Sequence, residues 1–462
     1  LDMRRMKKIE IDRDNMIAIV EPYAIAATVQ AEAMKYGLTC NIPGVGCSSS
    51  ILANTAGWGG PGPSSVFTGN ASENFLCAEW VLPTGEVLVT GSAGAGAGWF
   101  SGEGPGPGQR AILRGARGTT GEMGVCTKIS LKLSPWPGPR YIPSEGLPPA
   151  YRAKLPENFK AYAICFPDWG RWAQAMMALC DAEIVFAAHR QFSMFGRDIK
   201  AAMLRILTDP DKQLCDIPAL NTDPEIQAAN ESLKIEMYVV LAGMTPADMA
   251  WKEQALNEIL EKYGGWKDKM CLEPDMAEWL LMYFTRLGHK NLNYALCGSY
   301  EGHFGLNSGN LIKSASVCEE AFALKREWEQ KDNFMAAIGG DSSMGGLSSI
   351  GGGGGPMLWE FFCHFDAHDK ASIDKVRDYF NGVSAVWQAQ MGFGGDFSKN
   401  CEAGRKESGY AYSQEEHNEI FSRAPQPEPF IFQWKIREAF NPNHLGDSYY
   451  QTLDPKYLEK RA

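Results

Sequence analysis

Apolar and polar residues alternate with a period of two along Val125, Thr127, Ile129, Leu131 and Leu133. That period predicts a strand with one buried face. From Asn158 onward the pattern switches between periods. Ala161-Tyr-Ala-Ile-Cys-Phe166 reads as a strand, and Asp168 stands where it can cap a helix whose apolar positions include Trp172, Ala175, Met176 and Leu179. Ala182-Glu-Ile-Val-Phe-Ala-Ala188 and Glu236-Met-Tyr-Val-Val-Leu-Ala242 read as further strands. Pro246 to Tyr263 is an amphipathic helix ended by Gly264-Gly265. Met357-Leu-Trp-Glu-Phe-Phe-Cys-His-Phe-Asp366 is a strand rich in aromatics, followed by a helix from Ala371 to Trp387, whereas Tyr300-Glu-Gly-His-Phe-Gly305 reads as a loop around His303. Prolines punctuate the chain at Pro135–Pro139, Pro143–Pro149 and Pro425–Pro429, and five glycines run from Gly351 to Gly355. The rhythm predicts an antiparallel sheet covered by helices.

Composition narrows the class. The 462 residues are enough for two or three domains, and 45% hydrophobic with 21% charged residues is ordinary for a globular chain. A net charge of −11 disfavours nucleic-acid binding. The 12 cysteines form no CxxC pair and no iron–sulfur run, so they read as reduced and mostly buried, which points to a cytoplasmic protein. No apolar run approaches the length of a membrane span.

Two glycine-rich patches carry the candidate chemistry. Arg114-Gly-Ala-Arg-Gly-Thr-Thr-Gly-Glu-Met-Gly-Val-Cys-Thr-Lys128 places glycine at every third position before the alternating strand. Pro43-Gly-Val-Gly-Cys-Ser-Ser-Ser-Ile-Leu-Ala-Asn-Thr-Ala-Gly-Trp-Gly-Gly60 is uncharged and rich in small residues. Such backbone can approach a ligand closely and offer it peptide N–H groups. A tight turn feeding a buried strand would have the same spacing.

Together the patches resemble the flavin-binding domain of the vanillyl-alcohol oxidase and p-cresol methylhydroxylase superfamily, and more closely its glycolate oxidase and D-lactate dehydrogenase branch. The resemblance covers roughly the first 135 residues. It implies a strand within Leu1–Asp12, a strand Met16–Pro22, a helix Tyr23–Tyr36 ending at Gly37, and a strand pair Ala78–Thr90 turning on Thr84-Gly85. The fold class it implies is α+β: a two-subdomain FAD-binding domain over 1–140, a cap domain over 141–425, and a C-terminal return over 426–462. The cofactor implied is FAD. Its contacts would be Pro43, Gly44, Cys47, Ser48, Ser49, Ser50, Asn54 and Gly57 from one loop, with Gly118, Thr119, Gly121, Gly124, Val125 and Thr127 from the other. No covalent attachment is expected at Cys47. Family members carry a further flavin-gripping subdomain before the position matching Leu1, so the expectation is a fragment or a second chain that supplies it.

The activity implied is hydride removal from a hydroxylated or carboxylated small molecule, with a base near the substrate hydroxyl and an arginine for a carboxylate. Arg286 loosely matches the branch's carboxylate-binding arginine. Glu360 and His364 share one face of a strand, which is a substrate or metal site or else the solvated face of a half-exposed strand. His189, directly after a cap strand, is a fourth catalytic candidate, and His303 is not expected to be catalytic. The branch's His-x-Gly-Asp-Gly-Asn-x-His metal loop has no counterpart here, so no metal is expected. Electrons would leave through a separate iron–sulfur protein or electron-transfer flavoprotein, and an oligomer is expected. The rival reading is a flavin-sharing or non-catalytic structural subunit of a redox complex.

Overall fold

The computed structural model describes residues 1–42, 47–58, 62–104, 123–145, 152–154, 156–190, 234–269, 300–308, 311–331, 343–346, 357–365, 427–445 and 452–459, with isolated positions between. Along 300–308, 343–346 and 357–365 the backbone alone is described.

The first sheet contains β1 (Ile9–Asp12), β2 (Ile17–Val20), β3 (Leu38–Cys40), β4 (Phe75–Val81), β5 (Val87–Val89) and β6 (Val125–Pro135), in the order β1-β2-β6-β4-β5 with β3 also on β6. All its pairs are antiparallel. The alternation in β6 puts Ile129, Leu131 and Leu133 into a core shared with Val20, Val29, Phe75 and Trp80. Ser130 on the other face is buried as well. Its hydroxyl accepts the Cys77 N–H (3.0 Å) where the β4–β6 ladder bulges. The helix Ala26–Met34 packs on this core and ends before Gly37, whose φ of +73° is the left-handed value a glycine supplies cheaply.

The second sheet has seven strands in the order β12-β9-β11-β10-β14-β15-β13. They are β9 (Phe159–Cys165), β10 (Val185–Arg190), β11 (Glu236–Ala242), β12 (Trp266–Lys267), β13 (Tyr300–Ser308), β14 (Ser343–Gly346) and β15 (Met357–Phe365). A separate two-residue ribbon joins β7 (Ser144–Glu145) to β8 (Arg152–Ala153). The helix Trp169–Ala182 is capped by Asp168, whose carboxylate accepts the Arg171 N–H at 2.8 Å. The helix Pro246–Tyr263 is capped by Thr245 and stopped by Gly264 at φ +67°. These two helices and Leu311–Lys331 cover one face, burying Trp172, Met176, Leu179, Leu256 and Phe322 against Ile164, Met237 and Val239. The other face buries Phe159, Ala161, Phe186, Tyr238 and Val240 together with Met34 and Trp136 from the first domain.

Four expectations change. The proline-rich exit begins inside the ladder, because Pro135 pairs with Leu38 at the last strand position, where a missing N–H is tolerated. Trp136 behind it is core, 5.2 Å from the Phe159 ring and 5.6 Å from Phe186. The strand after the capped helix starts at Val185 rather than Ala182, because the helix runs to Ala182 and Glu183 turns left-handed to close it. His303 lies in β13 and not in a loop, paired opposite Phe362. The prolines near 427 open the helix Glu428–Phe440 instead of only breaking the chain, since proline fits a first helical turn. The glycine run 351–355 and the segment 394–400 lie outside the described residues.

Trp172 is fully buried, and its indole N–H donates to the Glu236 carbonyl at 3.1 Å. Trp172→Ala is expected to lower stability by about 3–5 kcal/mol, the cost of a large core aromatic, read from urea unfolding followed by the remaining tryptophans.

Candidate functional site

The second glycine-rich patch is described from Cys47 to Trp58 and again from Gly62. It begins by closing the helix Ala26–Met34. The Cys47 carbonyl accepts the Ala27 N–H (3.0 Å) and the Ser49 carbonyl accepts the Ala26 N–H (2.9 Å). Two of the donors that a helix start leaves open are therefore taken by this loop. Ser50 bridges to Ile25, donates its hydroxyl to the Pro22 carbonyl (2.5 Å) and accepts the Ala53 N–H (3.1 Å). Ser48 is exposed and Ser49 half-buried.

From Ala53 to Trp58 the backbone winds as a π-helix, a wide turn that recurs at functional sites. Asn54 sits in this turn, 7% exposed, and its Oδ1 has no hydrogen-bond partner among the described residues. A buried amide oxygen without a partner costs about 1–3 kcal/mol, so it is a place for a ligand donor. Gly57 lies one turn further, and a Cβ built there would meet nothing within 4 Å. An uncharged ribbon with an open acceptor and an open glycine fits a nucleotide cofactor.

The first glycine patch is described only at its end. Gly124 has φ +105°, and an added Cβ would lie 2.2 Å from the Val81 carbonyl oxygen, so only glycine serves there. The Trp80 indole clips the turn by donating to the Met123 carbonyl (2.8 Å). Val125 and Thr127 are half-buried at the start of β6. The Thr127 hydroxyl donates to Glu79 Oε1 at 2.7 Å and is thereby engaged with β4. Pro43, Gly44, Gly118, Thr119 and Gly121 lie outside the described residues.

Between these loops and the cap sheet runs the segment Gly62–Gly69. The Pro63 carbonyl accepts the Ala188 N–H of β10 at 2.8 Å. The Phe67 ring lies tilted at 5.5 Å from Phe186, and Val66 enters the helix-covered core of the second sheet. β10 thus meets the first domain beside the candidate cofactor loop, and the next residue is His189, 2% exposed.

Register places the other strand candidates. His189 pairs opposite Tyr238 on one side and Gly346 on the other. Met344, two residues from Gly346 on β14, pairs with Glu360 on β15. Directly paired residues of an antiparallel ladder share a face, as do residues two apart on a strand. Positions 189, 238, 360 and 364 therefore lie on the same face of the sheet. Glu360 is two strands from His189 and two residues further along, about 12 Å away, and His364 is about 13 Å beyond it along β15. Position 303, opposite Phe362, shares that face. Arg286 lies outside the described residues, directly after Thr285, which is buried.

Arg190, next along β10, serves the helix layer instead. It pairs with Glu236, donates to the Lys234 carbonyl (3.1 Å), and lies 4.9 Å from the Trp169 ring and 5.6 Å from Phe322. Both charges are about 1% exposed, so each depends on the other for compensation. No disulfide joins the cysteines among the described residues. Burial pushes the Cys40 thiol up to about 12, which leaves it no nucleophilic thiolate at neutral pH.

Sequence reasoning missed two parts of this site. Tyr238 is the polar member of the apolar face of β11, and its signal was a single phenol within Met-Tyr-Val-Val-Leu. Ser64, Ser65 and Thr68 are buried or half-buried hydroxyls that tie the segment after the loop, a role the run Gly62-Pro-Ser-Ser65 signals only once its partners are known.

Residues 1–91 match a protein-family model described as an FAD binding domain. The cofactor is FAD. Asn54 and Gly57, with the loops around them, are the described residues that would hold it. Solved structures of similar fold include 4-ethylphenol oxidase from Gulosibacter chungangensis in complex with isoeugenol, at 16% identity and a TM-score of 0.63, covering 98% of this chain and 80% of that one. Another is p-cresol methylhydroxylase with substrate bound, at 16% identity and a TM-score of 0.61 over 99% of this chain and 80% of that one. Xylooligosaccharide oxidase from Myceliophthora thermophila C1, in complex with xylobiose, is similar at 13% identity and a TM-score of 0.52 over 98% and 81%. The fold is thus shared with 4-ethylphenol oxidase and p-cresol methylhydroxylase. No curated protein matches the sequence. Among the described residues, no helix is long and apolar enough to cross a membrane.

Asn54→Leu is expected to weaken FAD binding about tenfold, as loss of one buried hydrogen bond would. The stability of the FAD-free protein should hold or rise, because the orphaned oxygen is gone. FAD fluorescence quenching and thermal unfolding measure the two quantities separately.

Proposed function

We propose that the chain is an FAD-dependent oxidoreductase that takes hydride from a small hydroxylated or carboxylated molecule, in the manner of the glycolate oxidase and D-lactate dehydrogenase branch. The observation that carries this reading is the match of residues 1–91 to an FAD binding domain whose loop meets a cap face carrying His189. The names of the similar structures, 4-ethylphenol oxidase, p-cresol methylhydroxylase and xylooligosaccharide oxidase, all contain a hydroxyl-bearing compound, which supports the hydroxyl as the recognised group.

FAD, when bound, supplies the hydride acceptor at its N5. The protein supplies the rest. The loops Pro43–Gly60 and Gly118–Thr127 hold the cofactor through peptide groups and the Asn54 amide. His189 is the candidate base for the substrate hydroxyl, fixed because Arg190 anchors the next position in the helix layer. Glu360, on the same face, is the second candidate for proton handling, and Arg286 the candidate for a substrate carboxylate. Residues 1–140 act as the cofactor domain, 141–425 as the cap and 426–462 as the return to the cofactor domain. Electrons pass on to a separate iron–sulfur protein or electron-transfer flavoprotein.

A visible spectrum of the purified protein, after incubation with FAD and desalting, is the first test. Flavin bands should remain with the protein, and one of glycolate, D-lactate or p-cresol should bleach them without oxygen. A colourless, well-folded protein that releases all added FAD would instead support the structural-subunit reading.

A further inference from the structure

The segment Gly62–Gly69 closes the base of the cofactor loop and touches the cap at the same time. On the loop side, the Ile42 N–H donates to Ser64 Oγ (2.8 Å), and the Asn41 side-chain amide donates to Thr68 Oγ1 (2.7 Å) and to the Gly69 carbonyl (2.9 Å). Asn41 and Ile42 lead into the loop at residue 43, and Gly62 leaves it at the other end. The two ends are therefore tied by side-chain hydrogen bonds among buried and half-buried groups. Ser64 is at the centre of the tie. It is fully buried, and its own carbonyl accepts the Thr68 hydroxyl (3.0 Å). Gly62 N–H donates to Ser65 Oγ (2.7 Å), which holds the turn compact.

On the cap side, the residues flanking Ser64 do the contacting. Pro63 accepts the Ala188 N–H, Val66 enters the cap core, and Phe67 lies on Phe186. Ala188 is paired with Val239 by its other edge, and the position after it is His189.

We infer that Ser64 is a positioning residue: it ties the two ends of the cofactor loop to each other and, through Pro63 and Val66, transmits the order of that loop to β10 and the adjacent His189. This rests on the reading of the loop as an FAD site. The physical basis is linkage. A ligand that binds only the ordered loop stabilises whatever else requires that order. Here the Ala188–Pro63 hydrogen bond and the Phe67–Phe186 contact are made by the same segment that Ser64 ties to residue 42.

Amide hydrogen exchange of the full chain, with and without FAD, tests the inference. FAD should slow exchange at Ala188 and His189 about tenfold or more, and slow it much less in β9, which lies on the far side of β11 from the tie. Ser64→Ala should weaken FAD binding and remove the selective protection of β10 while FAD is held at saturating concentration. Binding of FAD, seen in its absorbance, with no selective protection of β10 in the unmodified protein would overturn the inference and leave the FAD reading standing. Equal protection of β9 and β10 would overturn it too, since that is ordinary global stabilisation. Failure of FAD to bind at all would remove the reading beneath it as well. The comparison within the unmodified protein needs no variant to fold.

Discussion

The hydrogen bond from Ala188 N–H to the Pro63 carbonyl is small, but the geometry of the site depends on what it joins. Among the described residues β14 pairs with β10 at His189 and Arg190, and just before that point the edge of the strand meets Pro63. A peptide from the cofactor side takes that edge, as an added strand would. Phe67, Trp136 and Met34 then extend the contact over the apolar face of the sheet. The face that packs on the first domain is the same face on which positions 189, 238, 360 and 364 stand.

The opposite face works by different forces. Three helices bury aromatic and aliphatic side chains there, and the charged pair Arg190–Glu236 is buried among them. Such a pair is costly to desolvate and costly to break. Its place one residue from His189 fixes the end of β10 from behind. The strand is held by a charge and two aromatic rings on one side and by the first domain on the other.

Much of this was legible in the residues. The period of two in β6, the Asp168 cap, and the limits of β11 and of the helix Pro246–Tyr263 all follow local rules, and each was found where the pattern put it. Local rules failed where long-range pairing decided. Nothing near His303 announces a strand, because β13 exists through its nine-residue pairing with β15. Pro135 seemed an exit from the ladder until β3 supplied a partner at its end. The two glycine patches signalled a close approach of backbone to something, and for the patch at 43–60 the match of residues 1–91 to an FAD binding domain supplied what. The polar tie around Ser64 was invisible for the same reason as β13: its partners are separated from it by the loop it closes.

The proposed place for FAD is the Cys47–Trp58 ribbon at the junction with β10. A crystal structure of the FAD-loaded protein is the decisive measurement. Flavin density is expected in contact with Asn54 and Gly57, with the ring system on the side facing His189. Density for FAD elsewhere on the chain, with the Asn54 amide packed only against protein, would contradict it.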